Sequence, residues 1–387
     1  MRNNFIASDI TIRHFSGPQG LDALRHDWET LTQSLSPHRF IHLWEWYRAY
    51  LHALESDTDA VHFFAFYRNG AAVGIFPLKL LNRPLHGLPM RWLELPRHPH
   101  MNLCDAMFAR TPENVNLLAV LCAHLCSQRY LPWDVLALPR TLEDSAVAFS
   151  LDASPPSRLI NTSSGYSRYV TSLESPEPIN ARVSGSFKRN LRRLARRAEE
   201  TGKLEYRSYR IPEQLAEAFP CFLEVEASGW KGTQGRNSAI TLHPPLRAFY
   251  TQLIESCSPD GRCIINLLWL NDVCIAGQFG LLVDRVLYIL KIGYHESYAQ
   301  LAPGNLLMER VLEDCRRDGD MHTVSFVTDP PWSHLWHPQS SAVSTYYIFN
   351  RSWRGLLSFL SLRIARRLHS LIKIRQRGQP DKSKESK

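Results

Sequence analysis

Leu287-Tyr288-Ile289-Leu290-Lys291-Ile292-Gly293-Tyr294 is the stretch whose reading decides the fold, together with the residues after it as far as His337. Its branched and aromatic composition is that of a strand. Gln300-Leu301-Ala302-Pro303-Gly304-Asn305 then reads as a loop feeding the apolar-periodic run Leu306 to Arg317. Gly319 closes that run, and His322-Thr323-Val324-Ser325-Phe326-Val327 reads as a second strand. The first N–H groups of a helix have no intrahelical partner, so the helix start is a ready anion site. A pyrophosphate such as that of coenzyme A has the charge for it. The same pattern also occurs in α/β proteins with no ligand there, where the glycine serves as a cap.

Working outward, Cys263 to Leu270, the Asn271-Asp272 turn and Val273 to Leu282 make a hairpin, and Val283-Asp284-Arg285 turns into the Leu287 strand. The first half has the same succession. Val61 to Tyr67, Asn69-Gly70 and Ala71 to Leu81 form a hairpin. Leu85 to Leu95 continues in strands, Asn114 to Gln128 is helical, and Trp133 to Leu138 is a strand. Leu21, Leu24, Trp28, Leu31 and Leu35 lie at helical spacing ahead of the hairpin, and a second helix runs from about Leu43 to Leu54. Repetition of one order indicates a duplicated unit, and helices attached to meanders indicate an α+β sheet.

Asp152 to Glu177 is rich in Ser and Pro and reads as a linker. The division expected is a first half over 1–150, a linker over 151–180, a second half over 181–350 and a basic tail over 351–387. After the linker, Ser184-Gly185-Ser186 caps a helix that Gly202 ends. Phe187, Leu191, Leu194 and Ala198 form its apolar stripe, while Lys188, Arg189, Arg192, Arg193, Arg196 and Arg197 cover the rest. Like charges so spaced repel. Three readings stay open: a solvated face, a wall for a phosphorylated substrate or carrier, and a nucleic-acid contact. In the tail, Trp353, Leu357, Leu360, Ile364, Leu368 and Leu371 form a stripe among Arg363, Arg366, Arg367, Lys373 and Arg375. Such a segment lies on an anionic membrane or packs back on its own domain.

The charge is +8 in 387 residues, concentrated in those two bands. Length alone predicts two or three domains. Cys104, Cys122, Cys126, Cys221, Cys257, Cys263, Cys274 and Cys315 are scattered with no Cys-x-x-Cys pair, as expected of reduced thiols in a cytosolic protein. His98 with His100, and His334 with His337, lack the partners of a metal site, and no metal is expected. The start is no signal peptide and no window is long enough to span a membrane. A cytoplasmic protein, peripheral at the inner face of the membrane if the tail binds it, is expected.

Four blocks carry a family resemblance. Phe40-Ile41-His42-Leu43-Trp44-Glu45-Trp46 resembles an aromatic entry motif, and Ser186-Phe187-Lys188-Arg189-Asn190-Leu191-Arg192-Arg193 a basic helix. Trp230-Lys231-Gly232 resembles a W-K-G motif, and Gly293-Tyr294-His295-Glu296-Ser297-Tyr298-Ala299 with Ala302-Pro303-Gly304 a G-F-D-P-x-F-A…S-P-G block. Together they resemble the CelD-type (cellulose-biosynthesis), FemAB-like branch of the GNAT acyltransferases. Where that family has G-D-E-P-Y-K, this chain has Thr328-Asp329-Pro330-Pro331-Trp332-Ser333-His334, which keeps the Asp and lacks the Lys. The resemblance implies duplicated GNAT-like (acyl-CoA N-acyltransferase) units, α+β, with mostly antiparallel mixed sheets flanked by helices.

It implies transfer from acetyl-CoA or another acyl-CoA to an amine. The acceptor expected is a small molecule such as an amino sugar, or a glycan, cell-envelope or exopolysaccharide precursor. Gln300, Pro303, Gly304, Asn305 and Tyr294 are the residues expected at the cofactor. His295 and Glu226 are rival candidates for the base, and Trp230, Lys231, Arg192, Arg193 and Asp329 for acceptor binding. Trp230 also reads as a cap, Lys231 as a surface charge and Asp329 as a turn cap. Nucleic acid is not expected, except tRNA under a second reading, a FemAB-like transferase that takes its donor from aminoacyl-tRNA. A third reading is a non-catalytic module docked in an exopolysaccharide assembly at the membrane through 351–375.

Overall fold

The turn signals of both meanders are realised as left-handed backbone: Asn69 and Gly70 have φ of 51° and 82°, Asn271 55°, and Asp284 and Arg285 49° and 62°. Short polar side chains and glycine tolerate this region, and these tight turns match the twist of the strands they join. The computed structural model describes residues 9–85, 87–128, 131–172, 182–229, 231–232, 235–317 and 319–364. Trp230 and the tail residues Arg366, Arg367, Leu368, Leu371, Lys373 and Arg375 lie outside the described residues.

The first half runs β1 (Ile10–Ser16), α1 (Gly17–Ala23), α2 (Arg25–Gln33), α3 (Trp44–Ala49), β2 (Val61–Arg68), β3 (Ala71–Leu85), β4 (Leu88–Glu94), α4 (Leu117–Ser127), β5 (Val135–Leu142), α5 (Ala146–Ala153) and β6 (Leu159–Thr171). The second runs α6 (Gly185–Thr201), β7 (Leu204–Tyr209), α7 (Pro212–Ser228), α8 (Pro244–Cys257), β8 (Cys263–Leu270), β9 (Val273–Val283), β10 (Val286–Tyr294), α9 (Pro303–Arg317), β11 (Thr323–Ser325) and β12 (Gln339–Phe349).

All twelve strands form one sheet in the order β1-β2-β3-β4-β5-β12-β6-β11-β10-β9-β8-β7. Exchanging each strand for the one six places away reverses that order onto itself, so the expected duplication is present as a pseudo-twofold. β4 pairs with β5, and β10 with β11, in parallel. The other pairings are antiparallel. The last strand of each half crosses the axis: β6 pairs with β11 of the second half, and β12 with β5 of the first. This corrects the expected linker, since residues 159–171 within it are a central strand. β1 was not expected, and Leu24 splits the first expected helix into α1 and α2.

One sheet face carries a core common to both halves. There α3 packs on α8, with Trp46 5.1 Å from Phe249 and Phe40 4.9 Å from Tyr288, ring centre to ring centre. The other face carries two separate cores, under α4 and α5 in the first half and under α6 and α9 in the second. Ser184 Oγ caps α6 by accepting from the Phe187 N–H at 3.2 Å, and Leu191, Leu194 and Ala198 are buried as expected. Residues 353–364 form a last helix. Among the described residues no helix is long and apolar enough to cross a membrane.

Candidate active site

The parallel ladder between β10 and β11 lasts only from Val286 to Tyr288. β10 continues to Tyr294, and its register with β9 shifts between Ile289 and Lys291, so Leu290 is an extra, bulged residue. A bulge bends its strand and re-aims the backbone beyond it. The sheet therefore opens after Tyr288, and a cavity of about 330 Å³ occupies the opening. In the first half the equivalent cleft is filled. There Met107 bridges to Ile75 of β3 (N to O 2.9 and 2.8 Å), and Leu103, Cys104, Ala106 and Phe108 are buried around it.

The polar end of the cavity is set by α7. A Cβ on Gly293 would lie 2.6 Å from the Glu226 Cα, and one on Gly277 2.9 Å from the Phe222 ring. Hydrogen at these two positions lets the helix rest on β9 and β10, which delivers Glu226 to the opening. The Glu226 carboxylate is fully buried, 3.2 Å from the Lys231 ammonium. Its Oε2 accepts from the Ile240 N–H at 2.9 Å. Its Oε1 faces that ammonium and makes no hydrogen bond, and neither does Oε1 of the buried Gln278, which lines the same cavity. The ammonium compensates Glu226 Oε1, whereas a buried amide oxygen with no hydrogen bond, as on Gln278, is costly in a folded protein unless something binds there. Lys231 also donates to the Ile292 carbonyl.

Behind this pair lies a second set of groups, spanning the halves. Lys291 Nζ is 3.5 Å from His100 Nε2, and His100 Nδ1 is 3.2 Å from the Tyr250 hydroxyl. Burial, then the charge of Lys231, pulls the Lys291 ammonium down to about 8, with Glu226 opposing. Burial, then Lys291, pulls His100 down to about 3, so its ring is neutral near pH 7.

The other end is apolar and belongs to α9. Ala299, Ala302, Leu307, Met308 and Trp332 line it, and Ala302 has φ of 46°. That left-handed residue turns the chain into the helix, and its carbonyl accepts from the Asn305 and Leu306 N–H groups at 2.9 and 3.3 Å. Pro303, Gly304 and Asn305 face the cavity. A Cβ on Gly304 would meet nothing within 4 Å, which leaves room beside the first amide of the helix.

Of the expected residues, Glu226, Lys231, Tyr294, Pro303, Gly304 and Asn305 thus line one cavity. Gln300 is exposed on the short turn before it. The His295 ring packs edge-on to Tyr298 at 5.4 Å and does not line the cavity. Asp329 is clamped by Arg168 at 2.9 Å and His334 at 3.0 Å, and the Arg168 hydrogen bond holds its carboxyl below the usual range. Arg192 and Arg193 face an open trough on α6 with Arg189, Arg196 and Arg197. Gln278, Lys291, Trp332 and His100 were not anticipated at the site. Lys291 and Trp332 lie in stretches singled out in the sequence and His100 in the His98–His100 pair, but none of those patterns pointed to this cavity.

Residues 185–332 match the family model described as the acetyltransferase (GNAT) domain. Over this span the chain is similar to the GNAT acetyltransferase domain. The GNAT assignment covers β7 to β11 and the whole cavity. Over most of its length the chain also shares its fold with solved structures at low identity. One is FemX (12% identical, TM-score 0.55, covering 86% of this chain and 98% of that one). A second is L-PGS from Bacillus licheniformis (11%, 0.51, 87% and 95%). A third is the C-terminal domain of a putative lysylphosphatidylglycerol synthetase from Agrobacterium fabrum (10%, 0.50, 88% and 95%). Both halves, and not the GNAT domain alone, are therefore shared architecture. No curated protein matches the chain in sequence.

Proposed function

We propose that the protein is an acyl-CoA-dependent N-acyltransferase of the cytoplasm, with acetyl-CoA as donor and an amino sugar or a cell-envelope or exopolysaccharide precursor as acceptor. The observation that carries this reading is the continuity of the cavity. It joins the amino end of α9 to the buried Gln278 Oε1, which has no hydrogen bond, and to the Glu226 carboxylate in its ion pair with Lys231. The donor set fits an acyl-CoA: Gly304 and Asn305 at the helix start for the pyrophosphate, and Leu307, Met308 and Trp332 for the arm next to it. Such a donor, when bound, supplies the activated acyl carbon.

The chain's residues do the rest. The carbonyls and amides of β10, released from the ladder beyond Tyr288, orient the acyl group. Gln278 Oε1 accepts a hydrogen bond from the acceptor amine. Glu226 Oε1 takes the proton the amine loses as the N–C bond forms and the C–S bond breaks, and that proton then passes to the departing thiolate, which leaves as the free thiol. Lys231 pairs with Glu226 and holds it in place. Eight scattered cysteines with no Cys-x-x-Cys pair favour a reducing compartment for this work.

Titration calorimetry with acetyl-CoA, then a thiol-release assay over a panel of amino sugars, tests the proposal. Micromolar binding and release with one acceptor class are expected; no heat with any acyl-CoA would refute it. A second reading, an aminoacyl-tRNA donor, is favoured by the arginine trough of α6, which packs against the turn before α9. It requires salt-sensitive tRNA binding that falls when Arg192 and Arg193 become Glu.

A further inference from the structure

The helix over 353–364 has two apolar faces, and among the described residues only one of them is covered. Gly355, Ser358, Phe359 and Leu362 turn inward on a small core with Met90, Trp92 and Phe349. The Phe359 and Phe349 rings are 5.7 Å apart, and Ser358 Oγ meets Met90 Sδ at 3.4 Å. The helix is therefore docked on the sheet. Yet Trp353, Leu356, Leu357, Leu360 and Ile364 remain 66, 39, 47, 44 and 58% exposed. Five of the eleven large apolar side chains exposed among the described residues are on this one helix.

At about 100° per residue these five span an arc of roughly 100°, centred opposite the buried face. Arg354 and Arg363 come out on the two borders of that arc. Arg354 lies over the Trp353 ring at 5.3 Å and Arg363 over the Phe359 ring at 5.4 Å. The sequence from Arg351 to Pro380 holds eight Lys and Arg and no carboxylate.

We propose that this face lies on an anionic lipid bilayer, with the apolar arc below the headgroups and the bordering arginines at phosphate level. An apolar arc needs an apolar medium, since exposed patches of this kind mark contact surfaces. Cations on both rims, with a tryptophan at one end, match the charge and polarity profile of an interface. A nucleic acid would satisfy the arginines and leave the leucines in water. A second protein would need carboxylates to meet the cations.

The full chain, sedimented with vesicles of phosphatidylcholine alone or mixed with an equal part of phosphatidylglycerol, provides the test. Binding to the mixed vesicles, at least tenfold weaker to phosphatidylcholine and reduced by salt, is expected. Leu357→Glu with Leu360→Glu is expected to abolish it, and Arg354→Glu with Arg363→Glu to weaken it by more than about fivefold per charge. All four positions are on the helix's outer or border faces, so melting curves should stay at the wild-type value. Trp353→Ala, the most exposed position, gives an independent arm if either pair unfolds. The proposal is overturned by vesicle binding that survives Leu357→Glu with Leu360→Glu, by retention on duplex nucleic acid and not on vesicles, or by a concentration-dependent dimer that these variants dissolve.

Discussion

Replacing Gly304 separates the fold from the site. The position is the second residue of α9, a Cβ there meets nothing within 4 Å, and the backbone is helical. Gly304→Leu therefore puts its Cβ into open space, and a leucine is favoured over glycine in a helix by about 0.5–1 kcal/mol. Stability should hold or rise slightly. Binding should move the other way. The leucine side chain fills the space beside the first amides of the helix, where a pyrophosphate would sit. Pro303 has no N–H and Asn305 donates to Ala302, so the Gly304 amide is the one at stake, and losing its charge-assisted hydrogen bond at about 1.5–3 kcal/mol weakens Kd by roughly 10- to 150-fold. Gly304→Ala, with a methyl group only, should fall between. Calorimetry with acetyl-CoA and a thermal melt on the same samples give the two quantities. An unchanged Kd for the leucine variant, with the melt intact, refutes a phosphate site at this helix.

Glu226→Gln should keep donor affinity within about threefold while transfer falls by about 10²- to 10⁴-fold, the range for a proton acceptor, as read by single-turnover assay. Equal rates in the variant would remove Glu226 from the chemistry. Lys291 is held at about 8 against an ordinary 10.5, so between those values the unfolded chain carries the proton and the native one sheds it. Stability should therefore rise with pH from about 8 to 10.5, by up to about 3 kcal/mol. Lys291→Met should flatten that slope in urea titrations and stabilise the protein at pH 7. Gly293→Ala should destabilise by about 1–3 kcal/mol, because its Cβ would meet the Glu226 backbone at 2.6 Å and neither backbone can yield cheaply. A urea midpoint equal to wild type would show that α7 is free to shift.

The strands with alternating or continuous apolar residues and left-handed turns were legible: β8 begins and ends where Cys263 and Leu270 predict. The cap of α6 was legible for the same reason, since Ser184 acts on its own neighbourhood. β6 was hidden because nearly half of its residues are Ser, Thr and Asn, and most of the strand is not fully buried. It is held instead by polar contacts across the sheet, Ser164 to Thr345 at 2.7 Å and Thr171 to Thr323 at 2.9 Å. The exchange of last strands was illegible in principle, because periodicity describes a strand's faces and not its neighbours. At the site, the residues of the α9 entrance were legible because they are contiguous. Gln278 resembles any polar residue in an apolar strand until the bulge at Leu290 opens the sheet beside it. His100 reaches Lys291 across 191 positions, a distance only the common core of α3 and α8 closes.

The exchange of β6 and β12 clasps the two halves like linked fingers. A fragment cut at 185–332, the span that matches the GNAT family model, would bare one whole side of β11, because β6 lies outside it. Such an edge recruits other chains. With β6 and β12 exchanged, neither half can complete its part of the sheet alone, and the first half serves the second as scaffold.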